Sequence, residues 1–355
     1  MNIEDFGYNN GVAELIAQNG LNKSDIGRIT AVFKDRYDVI TNQGSQKAQI
    51  TGNLQYSAES QFNMPAVGDW VCVQNFDNQV ALITQVLPRI NYIDRRAVGR
   101  IGEKQIIAAN IDYGLIVDAV TENFNINRIE RYITICNTSK VEPIILLTKI
   151  DLISAEELSA VTTSVKARLG SLSVIFISNI TNYGIDELKS FLIPKKTYCL
   201  LGLSGVGKST LINKFSDKML MKTKAISEST NKGVHTTTHR QLFLLDNESI
   251  IIDNPGMREV GITDATTAIG VTFDKISELA DRCRFSDCTH THEKDCAVLE
   301  AVKTGVLEKA YINNYNKMKK EQFHLQATLL EKRKRDKEFG KMVKNVMKNK
   351  KSKRN

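Results

Sequence analysis

The chain has 355 residues, which is enough for at least two domains with their own hydrophobic cores. Its composition, 42% hydrophobic and 25% charged, is typical of a globular protein, and no apolar run is long enough to cross a bilayer. The formal net charge is +8, but residues 317–355 alone carry 15 Lys and Arg against 4 Asp and Glu. Because this one segment holds the positive excess, the charge favours a polyanionic partner, with nucleic acid as the first candidate. No membrane partner is expected, since no segment could cross a bilayer.

The first third of the chain predicts a small β domain. Residues 1–27 show weak, polar-rich patterning without the basic and apolar regions of a secretory signal, so we expect a partly mobile extension and a cytoplasmic location. Between residues 28 and 90, the β-prone runs GRITAVF, YDVITN, KAQITG, DWVCVQ and QVALITQVL are separated by Gly, Asn and Asp turns. Five short strands favour an OB-type β-barrel. Residues 91–110 are predicted to be a basic connector.

An alternating pattern of strands and helices follows over residues 111–263. The strand-like runs YGLIVDAV, EPIILLTKID, SVIFIS, TYCLLGLS, QLFLLD and SIIIDNPG are interspersed with amphipathic helical runs such as NINRIERYITIC and IDELKSFL. This alternation predicts a largely parallel α/β sheet. Helical patterning resumes over residues 264–316, and the basic tail 317–355 is too charged to form a core of its own.

The stretch GLSGVGKST, residues 202–210, matches the pattern G-x-x-x-x-G-K-[ST] between a strand and a helix. Its glycines permit a tight loop whose backbone N–H groups point at phosphates. Lys208 reaches the β- and γ-phosphates, where it is also a catalytic candidate, and Ser209 is a ligand for Mg²⁺. We expect the nucleotide phosphates to be bound by Gly202, Ser204, Gly205, Val206, Gly207, Lys208, Ser209 and Thr210.

The sequence DNPG, residues 253–256, follows the apolar strand SIII. At a strand end after a phosphate-binding loop, the Asp253 carboxylate can hold the Mg²⁺ shell and the Gly256 N–H can sense the γ-phosphate. The next residue is Met257, where a GTPase often has a glutamine that orients the attacking water.

The loop NKGVHTTTHR, residues 231–240, lies where the first switch loop of a GTPase belongs. Thr237 and Thr238 are both candidates for completing the Mg²⁺ shell and sensing the γ-phosphate, and the sequence does not choose between them. His235 is the nearest side chain suited to acting on the attacking water, because its pKa is close to neutral. The alternative is that His235 is an ordinary surface residue.

Two further segments suggest a guanine site. In TKID, Asp151 can accept two hydrogen bonds from guanine that adenine cannot offer, and the stem of Lys149 can cover the base. Thr148 stands where the usual motif N-K-x-D has Asn, and in ISNIT the pair Ser178 and Asn179 stands where the usual core is Ser-Ala. The alternative for TKID is a solvated helix start capped by Asp151.

The order of these motifs is the reverse of that in the usual GTPase, since TKID precedes the phosphate-binding loop. Each motif nevertheless falls at the end of a predicted strand, so the pattern indicates a GTPase sheet whose chain begins midway. Circular permutation is tolerated where the original termini lie close together on the surface.

The segment CRFSDCTHTHEKDC has the spacing C-x4-C-x-H-x5-C. Cys283, Cys288, His290 and Cys296 would form a tetrahedral structural zinc site without an open position for catalysis. His292 could replace His290, and three unrelated free cysteines are the alternative. The predicted fold is therefore α/β: a circularly permuted P-loop GTPase sheet, preceded by an OB-type barrel and followed by a mainly helical zinc-binding domain.

This combination resembles the bacterial ribosome small-subunit-dependent GTPase A family. GxHTTT at 233–238, DNPGMRE at 253–259 and the Cys/His spacing carry the resemblance. It implies an enzyme that binds the small ribosomal subunit and its rRNA late in assembly and hydrolyses GTP to GDP with stimulation by that subunit. It also implies Mg²⁺, one Zn²⁺ per chain and a monomer. The remaining alternatives are a non-hydrolysing, nucleotide-regulated RNA-binding scaffold and a metabolic P-loop kinase, against which TKID and the zinc segment argue.

Overall fold

The computed structural model describes residues 1–34, 36–58, 60–77, 80–96, 104–216, 240–254 and 265–326, together with residues 331 and 334. The chain divides into two units, Met1–Gly261 and Ile262–Asn355. None of the helices within the described ranges is both long enough and apolar enough to span a bilayer.

A closed five-stranded barrel begins the first unit, and it confirms the predicted OB type. Its strands are β1 (Ile26–Val32), β2 (Tyr37–Thr41), β3 (Gly44–Ile50), β4 (Trp70–Asp77) and β5 (Val80–Val86). Strand β1 pairs with both β2 and β4, while β3 pairs in parallel with β5, which closes the ring. Alternate side chains such as Ile29, Val39, Val71 and Ile83 point inward and fill the barrel.

The N-terminal segment, expected to be a partly mobile extension, instead packs on the barrel. Helix α1 (Asn10–Gln18) begins after Asn9, whose side chain accepts a hydrogen bond from Val12 N at 3.1 Å. Ile3 and Ile16 are buried in a cluster with Trp70 of strand β4. The expectation failed because a short helix with one apolar stripe leaves only a weak periodic signal.

Residues 91–110, predicted to be a connector, contain a hairpin of two strands. Strands β6 (Tyr92–Arg96) and β7 (Lys104–Ala109) pair antiparallel. Ile93 and Ile107 are buried in the same hydrophobic cluster as side chains of the α/β sheet. The segment is therefore part of the packed unit and not an open linker.

The α/β sheet has the strand order β10-β9-β8-β11-β13-β12, with all strands parallel except β12. Its strands are β8 (Tyr113–Ala119), β9 (Glu142–Thr148), β10 (Val174–Phe176), β11 (Thr197–Leu201), β12 (Arg240–Leu244) and β13 (Ile250–Asp253). Helices α3 (Ile126–Thr138), α4 (Ala155–Leu169), α5 (Ile185–Phe191) and α6 (Lys208–Lys214) connect the strands, and helix α2 (Gly52–Ser57) lies within the barrel sequence. Strand β11, which precedes the predicted phosphate-binding loop, lies between β8 and β13. This central strand comes after β8, β9 and β10 in the chain, as expected for a permuted GTPase sheet.

The barrel and the α/β sheet form one continuous sheet. Strand β1 pairs antiparallel with β12, placing Ala31 opposite Gln241 and Val32 opposite Arg240. Beside this junction the guanidinium of Arg28 is buried and donates hydrogen bonds to the carbonyl oxygens of Gly68, Phe6 and Asn110 and to the Thr197 hydroxyl. A buried cation is tolerated when its donors are satisfied in this way, so the junction is fixed by main-chain and side-chain bonds together.

The second unit is helical, as predicted. It contains α7 (Thr266–Thr272), α8 (Asp274–Ala280), α9 (Ala297–Lys303) and a helical stretch over residues 309–326. Its core includes Ile269, Phe273, Val298 and Tyr311. The predicted start of the basic tail at Lys317 falls inside the last helical stretch, where Met318 and Gln322, one turn apart, are buried. The packed unit therefore extends past the predicted boundary.

Candidate nucleotide and metal sites

The described segments that were predicted to bind nucleotide lie at the carboxyl ends of parallel strands in this sheet. Residues 148–151 lie at the end of β9, 178–179 just after β10, 202–210 after β11, and Asp253 is the last residue of β13. The open edge beyond the strand ends is where ligands bind in parallel α/β sheets. The structure thus brings together segments that are separated by up to a hundred residues in the sequence.

The phosphate-binding loop depends on glycine at both of its ends. Gly202 has φ 153° and Gly207 has φ 102°, values that side chains rarely adopt. A Cβ on Gly202 would lie 2.2 Å from the carbonyl oxygen of Val117 in strand β8. The loop can therefore turn tightly against the neighbouring strand only because these positions lack side chains.

Lys208 closes this loop with its own side chain. Its Nζ atom donates hydrogen bonds to the carbonyl oxygens of Gly202 at 2.9 Å and Leu203 at 2.7 Å. Burial lowers the pKa of Lys208, and the carboxylate of Asp253 opposes that shift. A buried ammonium bonded to two uncharged carbonyls favours an anion beside it, so the loop is chemically suited to phosphate.

The TKID segment holds the Asp151 carboxylate against Ser178 of the neighbouring loop. Lys149 has a left-handed backbone with φ 62°, and the Asp151 carboxylate accepts a hydrogen bond from the Ser178 hydroxyl at 2.5 Å. The helix start that Asp151 was alternatively expected to cap is capped by Ser154, which forms a reciprocal capping box with Glu157. That alternative is therefore wrong, and Asp151 keeps lone pairs for another donor.

Thr148 and Asn179 meet beside the phosphate-binding loop. Thr148 is fully buried, and its hydroxyl donates to the Val206 carbonyl at 2.6 Å, with the Asp118 carbonyl 3.3 Å away. A Cβ placed on Gly207 would lie 2.9 Å from Asn179 Nδ2 and 3.9 Å from Thr148 Oγ1. The Oδ1 atom of Asn179 is buried without a hydrogen-bond partner. The segments that depart from the usual guanine motifs thus also contact the phosphate-binding loop.

One residue of this edge was missed by sequence reasoning. Asp118, near the end of β8, is held by Arg128 through hydrogen bonds of 2.7 to 3.0 Å to both carboxylate oxygens. Burial raises the pKa of Asp118, and the Arg128 guanidinium opposes that shift. A lone carboxylate inside the apolar run YGLIVDAV was the available signal.

The structure does not describe the remaining residues that were predicted for the hydrolytic site. His235, Thr237, Thr238 and Gly256 lie outside the residues that the structure describes. Their predicted roles stay predictions.

In the second unit, Cys283, Cys288, His290 and Cys296 place their ligand atoms within 4.8 Å of one another. The Sγ atoms of Cys283 and Cys296 are 3.8 Å apart, and His290 Nδ1 is 3.7 Å and 3.4 Å from them. Sulfur atoms at the usual zinc distance of about 2.3 Å in a tetrahedron would be about 3.8 Å apart. The cluster is therefore compatible with one tetrahedral zinc ion.

The structure also distinguishes the two histidines. His290 is buried, and burial lowers its pKa, which favours the neutral imidazole that a metal requires. His292 is exposed, with its Nδ1 atom 2.9 Å from the Thr291 hydroxyl. Of the two, only His290 belongs to the cluster.

Comparisons with known proteins agree with this architecture. The sequence profile of the RsgA GTPase family matches residues 86–263. Small ribosomal subunit biogenesis GTPase RsgA 2 from Listeria monocytogenes serotype 4b is 40% identical over 321 residues, which is 90% of this chain and 89% of that protein. The crystal structure of YjeQ from Thermotoga maritima is similar in fold, with a TM-score of 0.60 at 24% identity over 83% of this chain and 96% of that chain.

A second solved structure, that of YloQ, a circularly permuted GTPase, has a TM-score of 0.57 at 23% identity and covers 84% of this chain and 96% of its own. At identities this low, the similarity to the two solved structures bears on the fold alone. It confirms the predicted permuted GTPase fold. The sequence match to the Listeria protein extends over nearly the whole of both chains. This chain therefore belongs to the RsgA GTPase family.

Proposed function

We propose that this GTP hydrolase acts in assembly of the small ribosomal subunit, binds that subunit through its RNA, and is stimulated by it. The name of the Listeria relative supports the biological setting. The observation that carries the proposal is the continuous sheet, in which strand β1 of the barrel pairs with β12 of the GTPase sheet. Because OB barrels bind nucleic acid in a groove, such a junction would connect an RNA surface directly to the nucleotide site.

Guanine would be selected by the Asp151 carboxylate. Its Oδ1 atom already accepts from Ser178, so the carboxylate is held in one orientation before any base binds. The second oxygen and the remaining lone pair would accept from the ring N1–H and the exocyclic amino group of guanine. Lys149 would cover one face of the base, and Thr148 and Asn179 would hold the adjoining phosphate-binding loop in place.

Hydrolysis would depend on the loop residues 202–210 and on the two switch segments. Lys208 would exchange its carbonyl partners for phosphate oxygens, which restores a charged partner to a buried ammonium. Mg²⁺, held by Ser209, Asp253 and either Thr237 or Thr238, would neutralise developing charge on the phosphates. His235 would position the attacking water, and the Gly256 N–H would sense the γ-phosphate.

The Cys283, Cys288, His290 and Cys296 cluster would hold one structural zinc ion. Three thiolates and an imidazole fill a tetrahedral shell, which leaves no position for a substrate. The distances between the ligand atoms support this assignment. The zinc would stabilise the three short helices α7, α8 and α9, which have seven residues each.

The protein would work in the cytoplasm as a monomer. The basic segment 317–355 would add sequence-independent attraction for rRNA, because each phosphate contact releases a condensed counterion.

The proposal is tested by measuring subunit affinity in two nucleotide states. Purified small subunits are titrated with the protein bound to GDP or to a non-hydrolysable GTP analogue, and large subunits serve as the control. We expect tighter binding to small subunits with the analogue, because only that state has γ-phosphate contacts to order the switch segments. Equal affinities in the two states would show that the nucleotide does not control subunit binding. Absence of small-subunit binding in both states would refute the proposed function.

A further inference from the structure

Two arginines near the sheet junction share one uncharged acceptor. Arg95 of β6 donates to Gln105 Oε1 through Nε at 3.2 Å and Nη2 at 3.1 Å. Arg240, the first residue of β12, donates to the same oxygen at 3.3 Å and to the Ile106 carbonyl at 3.4 Å. Two guanidinium groups thus converge on one amide oxygen, which can stabilise neither charge fully.

Three other arginines in this unit are held differently. Arg89, Arg128 and Arg168 are each held through two of their nitrogens by a carboxylate, from Asp69, Asp118 and Glu130 respectively. Among the residues that the structure describes, no carboxylate bonds to Arg95 or Arg240.

Within the part of the chain that the structure describes, the charge of this arginine pair is therefore not balanced by a bonded carboxylate. Burial, with repulsion from Arg95 as the smaller cause, lowers the pKa of Arg240 to about 10. The nearest carboxylate along the hairpin, Asp94, pairs with Lys104 at 3.5 Å. Arg95 and Gln105 are cross-strand partners, so Asp94 and Lys104, one position along each strand, face the other side of the hairpin.

We propose that Arg95 and Arg240 form a binding site for one phosphate group, and that a phosphodiester of the small subunit's RNA occupies it. Two guanidinium forks match the oxygens of a phosphate, and an anion between them would replace their mutual repulsion with two charge-assisted contacts. The RNA assignment rests on the proposed function, whereas the phosphate chemistry follows from the two side chains.

The position of the site gives it a role in regulation. Arg240 pairs with Val32 of the barrel, and its neighbour Gln241 pairs with Asp253 of the nucleotide edge. In the sequence, Arg240 is also the last residue of the predicted switch segment 231–240. A phosphate bound here would therefore fix the strand that joins the RNA-binding barrel to the hydrolytic site.

The test compares Arg95→Gln with the matched control Lys104→Gln, which removes the same charge from the opposite face of the same hairpin. Thermal unfolding is measured in phosphate-free buffer and with inorganic phosphate, and affinity for small subunits is measured over a range of salt concentrations. Without phosphate, we expect Arg95→Gln to unfold at the same or a higher temperature than the wild type, because it removes a repulsion. We also expect it to lose the stabilisation by phosphate and to bind subunits about tenfold more weakly, with a salt slope lower by about 0.7 to 0.9.

These measurements distinguish an RNA phosphodiester from free phosphate. They also distinguish failure of the anion site from failure of the proposed function. Equal losses in Arg95→Gln and Lys104→Gln would show that only net charge matters and would overturn the site. Phosphate stabilisation that depends on Arg95, together with unchanged subunit affinity, would overturn the RNA assignment in favour of free phosphate. If wild-type protein does not bind subunits, the proposed function fails, while the dependence of phosphate stabilisation on Arg95 still decides the anion site.

Discussion

We predict that a substitution at Asn179 compensates for the loss of nucleotide affinity caused by a substitution at Thr148. The usual motifs have Asn at the first position and Ala at the second, whereas this chain has Thr and Asn, so the carboxamide has moved from one loop to the other. Both side chains approach the same point beside Gly207. Thr148→Asn alone would place a larger side chain in space that Asn179 already occupies, and adding Asn179→Ala would vacate that space.

The expected magnitudes follow from this packing. Thr148→Asn disturbs the 2.6 Å hydrogen bond to the Val206 carbonyl and overpacks a buried site, which costs about 1–3 kcal/mol. Where this cost falls on the phosphate-binding loop it lowers GDP affinity, and since about 1.4 kcal/mol is a factor of ten, we expect a loss of about 5-fold to 150-fold. We expect the double variant to bind within about threefold of the wild type, with a coupling energy of about 1 kcal/mol or more, as for other residues in contact.

The assay is an equilibrium titration with a fluorescent GDP analogue, which reports binding without hydrolysis. Thr148→Ser serves as the control, because it keeps the hydroxyl and should stay close to wild-type affinity. Thermal unfolding of each variant confirms that the fold is retained. Additive losses in the double variant would show that the two residues act independently and would refute the reasoning.

Four further predictions concern the other sites. Asp151→Asn should weaken GTP binding sharply and favour xanthine nucleotide in a competition titration, and unchanged GTP affinity would exclude the carboxylate from base recognition. Elemental analysis should find about one zinc per chain, lost in Cys283→Ser but kept in His292→Ala, and the reverse result for His292 would move the imidazole ligand. Deletion of residues 327–355, which spares the helical turn containing buried Met318, should flatten the salt dependence of subunit binding and leave intrinsic GTP hydrolysis intact. His235→Ala should slow single-turnover hydrolysis on small subunits at nearly unchanged GTP affinity, and a wild-type rate would exclude it from the mechanism.

The features that could be predicted from the sequence are those that depend on short, local patterns of residues. The glycines at 202 and 207 are needed where the backbone has positive φ, and the spacing of Cys283 to Cys296 is the spacing that brings four ligands together. The motif residues could be assigned to one sheet edge because each follows an apolar run, although their order along the chain was reversed.

Features that depend on non-local pairing could not be predicted. The bond between Thr148 and Val206 joins two loops through the order of strands β9, β8 and β11, which no local pattern records. The same holds for Arg240, which meets Arg95 only because β12 lies beside the barrel and the β6–β7 hairpin. The segments predicted to be a connector and a tail both contain packed residues. Local patterns do not show this, because contacts with residues distant in the sequence bury them.

Stimulated turnover is the most direct test of the central claim, that this permuted GTPase acts on the small ribosomal subunit. GTP hydrolysis is measured for the protein alone, with purified small subunits and with purified large subunits, at matched salt. We expect a rate that rises with small-subunit concentration and saturates, while large subunits leave the basal rate unchanged. A rate that is the same under all three conditions would contradict the claim.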